Sequence, residues 1–287
     1  MASPGYFKGL TFVAEIKNEK MNKTIFITGA SSGLGKATAK LFAAKGWTVI
    51  ATLRNPEKET ELSQLPNVHL LQLDICNTNQ IKDVTTKAEQ ISSVDVLYNN
   101  AGYALGGDLE ATSAEQIERQ INTNFLGTIL VTKAFLPYFK KRKNGIIIST
   151  SSIAAYIPEP FIAVYGATKA ALEMWTASMS FELEKIGISI KTIVPSSMQT
   201  SFLGNADMAF EPDYQADFNN YIGKLMSDAD SVADKPEDIA NVVYDAVTDD
   251  KKQLYYFAGN DAIQKYERLK KEGLESVMGD TKKLFFE

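Results

Sequence analysis

The chain has 287 residues, 45% of them hydrophobic, and a formal net charge of −5 from 30 Lys and Arg against 35 Asp and Glu. Its basic run, Lys140-Lys141-Arg142-Lys143, closes a helical pattern, where cations complement the helix dipole, so nucleic-acid binding is disfavoured. Cys76 and His69 are the single cysteine and histidine. An internal disulfide is therefore excluded, and we expect no Cys/His metal site.

The sequence pattern predicts neither a membrane span nor a secretory signal in residues 1–20. No apolar run reaches the roughly 18 residues of a membrane span, and residues 1–20 lack a basic segment followed by an apolar one. A single cysteine suits a reducing compartment, so we expect a cytoplasmic protein. Because Met21-Asn22-Lys23 leads directly into a strand pattern, we interpret 1–20 as an extension or tag and 21–287 as one domain.

Short β-rich runs alternate with helical patterns along this domain. In chain order we predict strand Thr24–Thr28, helix 33–45, strand Thr48–Leu53, a short helix from Pro56, strand His69–Leu73, helix 78–91, strand Val94–Tyr98, helix 113–141, strand Gly145–Ser149, helix 164–186, strand Ile188–Val194, an irregular stretch 196–235, helix 236–248, strand 253–258 and helix 260–273. The alternation and the apolar strands predict a parallel sheet covered on both faces. The fold class is thus α/β: one doubly wound Rossmann-type domain with a seven-stranded, mostly parallel sheet.

A glycine-rich run, Thr28-Gly29-Ala30-Ser31-Ser32-Gly33-Leu34-Gly35, joins the first strand to its helix. Glycines there let the backbone approach a pyrophosphate, and the helix N-terminus offers free N–H groups. An ordinary glycine-rich turn is the alternative, but the strand-to-helix position favours dinucleotide binding.

The ends of the next strands suggest which dinucleotide binds. A carboxylate after the second strand would select NAD, whereas this strand ends in Leu53-Arg54, and an arginine suits the 2′-phosphate of NADP. Asp74 follows the third strand, where it meets the adenine or caps the next helix. Asn99-Asn100-Ala101-Gly102 follows the fourth strand, where small residues admit the cofactor and an asparagine can tie loops together.

Tyr165 and Lys169 are four residues apart at the start of a predicted helix, so they share one face. A nearby cation lowers the pKa of a phenol, which suits Tyr165 to proton transfer. Such a pair alone is common on surfaces. Ser152, after the fifth strand, could hold a carbonyl oxygen beside the phenol. Asn124 is unfavourable within a helix, so it either holds a water that relays protons to Lys169 or is satisfied within the core.

Together these motifs resemble the short-chain dehydrogenase/reductase family over roughly residues 22–275. The resemblance implies that Asn124, Ser152, Tyr165 and Lys169 form a catalytic tetrad. It also implies a cofactor site for NADP(H), with NAD(H) an alternative, lined by Thr28, Gly29, Ser31, Ser32, Gly33, Leu34, Gly35, Arg54, Asp74, Ile75, Asn100, Ala101, Gly102, Tyr165, Lys169, Pro195, Met198 and Thr200. One departure is Ser196, where the family has glycine; if this position needs a positive φ, serine costs about 1 kcal/mol.

The expected activity is hydride transfer between NADP(H) and a carbonyl or secondary alcohol. The stretch 196–235 suits a lid over the nicotinamide, and its apolar residues favour a bulky, apolar ketone or aldehyde, or else only pack the lid onto the sheet. They are Met198, Phe202, Leu203, Met208, Phe210, Tyr214, Phe218, Tyr221, Leu225 and Met226. A sensor that binds NADP(H) without turnover, an epimerase and a dehydratase are the alternatives. By resemblance, helices 113–141 and 164–186 form the interface of a homodimer or homotetramer.

Overall fold

The computed structural model describes residues 23–200, 204, 206–229 and 233–286. The interpretation of residues 1–20 as an extension lies outside these ranges, as do Phe202 and Leu203 of the predicted lid. The side chains of Leu225 and Met226 also lie outside the description. Among the described helices, none has the length and apolar character that crossing a membrane requires.

A seven-stranded parallel sheet forms the centre of the fold. In chain order the strands of the described residues are β1 (Thr24–Thr28), β2 (Thr48–Leu53), β3 (Val68–Gln72), β4 (Val96–Asn99), β5 (Leu105–Gly107), β6 (Gly145–Thr150), β7 (Ile188–Pro195), β8 (Asp207–Ala209) and β9 (Tyr255–Ala258). The sheet order is β3-β2-β1-β4-β6-β7-β9, and β5 pairs separately with β8. The predicted Rossmann-type sheet is confirmed, and the order reverses between β1 and β4, where ligands of such sheets bind.

Helices cover both faces of this sheet. In the described part of the chain they are α1 (Gly33–Ala44), α2 (Thr78–Ile91), α3 (Ala114–Ile121), α4 (Thr128–Arg142), α5 (Ala163–Glu184), α6 (Pro212–Ala229), α7 (Pro236–Thr248), α8 (Asn260–Glu272) and α9 (Leu274–Phe286). The short helix predicted from Pro56 is a 3₁₀ turn, Pro56–Lys58.

The core divides into two layers because side chains alternate across each strand. From β1, Ile25 and Ile27 join one buried cluster with Phe42 of α1 and helix α7. Phe26 points to the opposite layer, where its ring lies 4.8 Å from that of Phe135 of α4. The two layers hold the carboxyl ends of the strands at one edge, where the candidate site lies.

The long helix predicted over 113–141 is present from Ala114 to Arg142, but it is not α-helical throughout. A π-helical segment, Asn122–Gly127, separates α3 from α4. Such segments widen one turn of a helix and are frequent at functional sites. Here the widened turn contains Asn124, whose side chain bonds to backbone outside the helix. Hydrophobic periodicity did not predict it because the apolar pattern continues through the segment.

The prediction that 196–235 is irregular was wrong. This stretch contains β8 and α6, and β8 is a three-residue strand held by its partner β5, too short for any periodicity to reveal. A further helix, α9, follows Gly273, whose φ of +82° ends α8. Glycine is typical after the last residue of a helix, so the sequence pattern predicted no further element beyond Gly273.

Some predicted boundaries move by one or two residues. Strand β3 starts at Val68 and β4 at Val96, and the carboxylate of Asp95, just before β4, accepts a 2.7 Å bond from the amide of Thr24. Strand β9 starts at Tyr255.

Candidate active site

The glycine loop between β1 and α1 packs against the loop that follows β4. Gly29 has a φ of +68°, and a Cβ there would lie 2.7 Å from the Cα of Ala101. A Cβ on Gly35 would lie 2.3 Å from the carbonyl oxygen of Gly29. Both positions therefore require glycine, and no side chain other than hydrogen fits between the two loops.

The amides at the start of α1 face the same edge of the sheet. Ser32 is the N-cap residue, yet its side chain makes no capping bond, and the first turn holds no acidic residue. Ser31 and Ser32 are exposed, whereas Leu34 is buried in the core. A helix N-terminus with uncapped amides and no nearby carboxylate is suited to an anion such as a pyrophosphate.

Asn100 ties the ends of β1 and β4 together at the point where the strand order reverses. The backbone amides of Asn100 and Ala101 donate to Thr28 Oγ1 at 2.9 and 3.0 Å. Nδ2 of Asn100 donates to the carbonyl oxygens of Gly29 at 3.0 Å and Thr28 at 3.2 Å. The asparagine thus fixes the glycine loop relative to the sheet.

Arg54, Asp74 and Ile75 lie along the β2 and β3 side of this crevice. Arg54 follows β2 and is exposed. Asp74 closes a turn by accepting a 2.9 Å bond from the amide of Cys76, while Asn77 is the residue that caps α2. Asp74 therefore does not serve as the helix cap, the second role we considered for it. Ile75 is buried against Gly127, where a Cβ would approach its backbone oxygen to 3.0 Å.

Ser152, Tyr165 and Lys169 converge at the carboxyl end of β6. All three are buried, and a hydrogen bond links Ser152 with the phenol of Tyr165. Nζ of Lys169 donates to the carbonyl oxygen of Thr150 at 2.7 Å and lies 5.7 Å from the centroid of the Tyr165 ring. Helix α5 supplies the phenol and the ammonium from one face, and the turn that follows β6 supplies the hydroxyl.

Burial dominates the proton affinities at this site. It raises the pKa of Tyr165 to about 12, against the opposing effect of the Ser152 hydrogen bond. It lowers the pKa of Lys169 to about 8, against the opposing charge of Glu173. The pKa of Tyr165 is therefore raised, opposite to the lowering expected from Lys169, because burial disfavours the charged phenolate.

Asn124 lies beside the lysine, but its side chain is bonded to the backbone of Tyr103. Oδ1 accepts from the Tyr103 amide at 3.1 Å, and Nδ2 donates to the Tyr103 carbonyl oxygen at 2.9 Å. A Cβ on Gly102 would lie 3.1 Å from Oδ1 of Asn124 and 3.8 Å from Nζ of Lys169. The asparagine therefore holds the loop after β4 against the site, which matches the core-satisfied alternative for its side chain.

The segment Pro195 to Thr200 carries the chain from β7 towards the glycine loop. Ser196 is not among the residues with positive φ, so the strain expected at this departure from the family pattern is absent, and its hydroxyl donates to Asp261. Met198 is half-buried against the core. A Cβ on Gly33 would lie 3.4 Å from Cγ2 of Thr200, which places this threonine directly over the glycine loop.

An aromatic cluster is formed by Phe161 and the rings in contact with it, and Phe161 precedes Tyr165 by four residues in the chain. Phe161 has a φ of +63°, and its ring contacts the lid and the C-terminal helix. The centroid distances run from 5.5 to 6.5 Å, to Phe210, Tyr214, Phe218 and Phe285. A cavity of about 220 Å³ adjoins the cluster, between residues 158–160 and α9. Sequence patterns missed Phe161 and α9, although the apolar residues of 274–286 were a usable signal.

Among the described residues, no group of three or more His, Cys, Asp or Glu is arranged to hold a metal ion. Two further residues that the sequence patterns missed are Thr150, which accepts the lysine bond, and Glu173, a buried carboxylate one turn beyond Lys169. The i to i+4 spacing of Lys169 and Glu173 was the available signal for the second.

The sequence profile of the short chain dehydrogenase family matches residues 23–209. The chain is 35% identical over 216 residues to an uncharacterised oxidoreductase of Schizosaccharomyces pombe, covering 74% of this chain and 90% of the relative. It is 35% identical over 189 residues to a 3-ketodihydrosphingosine reductase of Bacteroides thetaiotaomicron, covering 64% of this chain and 67% of the relative.

A solved structure, ElxO with NADP bound, superposes with a TM-score of 0.72 at 28% identity and covers 85% of this chain and 100% of that one. The chain therefore belongs to the short-chain dehydrogenase family of oxidoreductases, and a nicotinamide cofactor fits the glycine loop described above.

Proposed function

We propose that the protein transfers hydride between NADP(H) and a carbonyl or secondary alcohol, and that it reduces a bulky, apolar ketone or aldehyde. The observation that carries this proposal is the convergence of Ser152, Tyr165 and Lys169 beside the glycine loop. A phenol, a hydroxyl and an ammonium at one point can bind a carbonyl oxygen and give it a proton.

The cofactor preference follows from Arg54. It stands where NAD-dependent proteins of this sheet type have a carboxylate, and a guanidinium matches the 2′-phosphate of NADP. The glycine loop would hold the pyrophosphate, Asp74 and Ile75 the adenine, and Pro195, Met198 and Thr200 the nicotinamide side. When bound, NADPH supplies the hydride. The NADP complex of ElxO supports this preference.

In reduction, Ser152 holds the carbonyl oxygen and Tyr165 donates the proton to it. Burial favours the protonated phenol, which is the form that this direction requires. The ammonium of Lys169 then stabilises the phenolate that the proton transfer leaves. Solvent then returns a proton to the phenolate, and Asn124 holds the loop after β4 beside Lys169. Holding the carbonyl beside the phenol also removes the entropic cost of a bimolecular encounter.

The substrate class follows from the aromatic cluster around Phe161. Rings from the lid and from α9 pack around Phe161, in the segment that leads into α5 and Tyr165, and we expect a substrate whose carbonyl reaches Tyr165 to extend along these apolar walls. The relative named 3-ketodihydrosphingosine reductase, by its name a reductase of a keto compound, supports a ketone.

We also propose that the protein forms a homodimer or homotetramer through the outer faces of α4 and α5. Two large apolar side chains of α5, Met174 and Phe181, are 70% and 81% exposed. They lie seven residues apart and so on one helix face.

Cys76 is a free, exposed thiol, which suits a reducing compartment such as the cytoplasm.

The test is NADPH consumption against a panel of ketones and aldehydes of increasing apolar size, with Tyr165→Phe as the matched variant. We expect turnover by the wild type and a loss of about 10² to 10⁴-fold in kcat in the variant, while NADPH affinity stays within about threefold. Saturable NADPH binding without oxidation across the panel would favour the sensor alternative. Near-normal turnover by Tyr165→Phe would reject the role of the phenol.

A further inference from the structure

Glu173 is a buried carboxylate that the proposed mechanism does not use. It lies one turn beyond Lys169 on α5, and the two residues are only 7% and 5% exposed. Oε2 of Glu173 accepts a 3.0 Å bond from Thr192 Oγ1 on β7, while Nζ of Lys169 donates to Thr150 on β6. Because β6 and β7 are adjacent strands, with Thr150 paired to Ile193, the two charges reach neighbouring points of the sheet.

Three hydroxyl groups lie near this carboxylate, although among the described residues its second oxygen, Oε1, makes no hydrogen bond like the one from Thr192. They belong to Ser151, just after β6, to Tyr156, in the turn after Ser152, and to Tyr255 on β9. Among the described residues, Lys169 is the cation whose charge acts on Glu173. The carboxylate therefore has one neighbouring ammonium, which acts on it through charge without a direct ion pair, in an otherwise neutral surrounding.

The two charges oppose the effect of burial on each other. Burial raises the pKa of Glu173, and the hydroxyls together with Lys169 act against that rise. Burial lowers the pKa of Lys169 to about 8, and the charge of Glu173 opposes this lowering. Without the carboxylate, burial would act on the lysine alone, and the neutral amine would predominate at lower pH. A neutral lysine cannot stabilise a phenolate at Tyr165.

We propose that Glu173 is a positioning residue for carbonyl reduction, which keeps Lys169 protonated and directed at the phenol from the interior of the domain. Glu173 acts on Lys169 through its charge and does not touch the reacting atoms. The inference rests on the proposed function, because it assigns Glu173 a part in the work of Tyr165 and Lys169. A purely structural carboxylate would affect stability and leave the protonation of Lys169 unchanged.

The first experiment compares the pH dependence of kcat for carbonyl reduction in the wild type and in Glu173→Gln. We expect the fall of kcat at high pH to begin roughly one pH unit lower in the variant, since an opposite charge at this range shifts a pKa by about that much or more. Below pH 6.5 the two rates should converge, because Lys169 is then protonated in both. Glu182→Gln, an exposed site on the same helix, is the control and should leave the profile unchanged.

Two further measurements keep the inference testable if Glu173→Gln folds poorly. Thr192→Val preserves shape but removes the bond to Oε2, so it should move the profile in the same direction by a smaller amount. The ¹³Cε signal of Lys169, assigned by its loss in Lys169→Met, reports the lysine pKa without turnover, and this pKa should fall in both variants.

The outcomes separate the two proposals. An unchanged lysine titration and an unchanged profile in Glu173→Gln would overturn the role of Glu173 while leaving the reductase proposal intact. A uniform loss of rate at every pH would also overturn it, as a structural effect. A wild type that reduces no carbonyl would reject the proposed function, and the lysine titration would still decide whether Glu173 sets the protonation of Lys169.

Discussion

Nζ of Lys169 donates a 2.7 Å hydrogen bond to the backbone oxygen of Thr150, the last residue of β6. This bond reaches from α5 to the strand that also leads to Ser152, so one contact fixes the ammonium relative to both the phenol and the hydroxyl. The i to i+4 spacing of Tyr165 and Lys169 places them on one helix face. The contact with β6 places this face at the candidate active site.

The rate of carbonyl reduction should fall above pH 8. Burial lowers the pKa of Lys169 to about 8, so the ammonium is present below that pH and is lost above it. The phenol of Tyr165 keeps its proton throughout, because its pKa is raised to about 12. A plot of kcat against pH from 6 to 10 measures this. In Lys169→Arg the cation does not titrate in this range, so the fall of kcat above pH 8 should disappear. We expect a lower kcat at every pH in this variant, because the guanidinium changes the geometry of the site.

A rate that stays constant to pH 10 in the wild type would contradict a role for the lysine charge.

Gly35→Ala should weaken NADPH binding at least about tenfold. The added Cβ would lie 2.3 Å from the carbonyl oxygen of Gly29 and 2.5 Å from Nδ2 of Asn100, so the glycine loop must move away from the loop after β4. Fluorescence titration with NADPH measures the change. The matched control is Gly223→Ala, at a helical site where a Cβ meets nothing within 4 Å, and it should leave affinity unchanged.

The glycine loop was predictable because its chemistry is local. The glycines, the strand before them and the helix after them adjoin in sequence, and Tyr165 and Lys169 are likewise close along the chain. The partners that constrain them are distant: Tyr103 holds Asn124 from 21 residues away, and Thr192 holds Glu173 from 19. Such contacts depend on tertiary packing, and the wrong expectation for the Tyr165 pKa has the same origin, since burial is not visible in a motif.

Replacing Arg54 should change the cofactor preference. In Arg54→Asp we expect the ratio of kcat/KM for NADPH to that for NADH to fall at least about a hundredfold, because a cation is lost and a carboxylate that repels the 2′-phosphate takes its place. Steady-state kinetics with both cofactors measures the ratio. Lys58→Ala, an exposed cation four residues further along, is the control and should not alter it. An unchanged ratio in Arg54→Asp would show that another group selects the cofactor.

Phe285→Ala should affect large substrates and spare small ones. The ring of Phe285 packs against Phe161 at 5.5 Å and against Tyr221 at 5.9 Å, so its loss opens the aromatic cluster that we propose lines the substrate path. We expect KM to rise about tenfold for ketones with long alkyl chains, in line with roughly 0.8 kcal/mol per buried methylene, and to change little for short ones. Leu109→Ala, at a residue that is 73% exposed, is the control. An equal rise for every chain length would assign α9 a structural role only.

Phe181→Glu should dissociate the proposed oligomer. Single exposed apolar residues are ordinary on protein surfaces, but Phe181 and Met174 share one face of α5 at 81% and 70% exposure, and this shared face is the basis of the proposed interface. A second copy of the chain presents the same face, so a two-fold contact would bury both. Light scattering should give a multiple of the monomer mass for the wild type and the monomer mass for Phe181→Glu. Lys271→Glu, a charge reversal at an exposed site on α8, is the control and should leave the mass unchanged. A wild type with the monomer mass would reject the interface, because no second copy would then cover this face of α5.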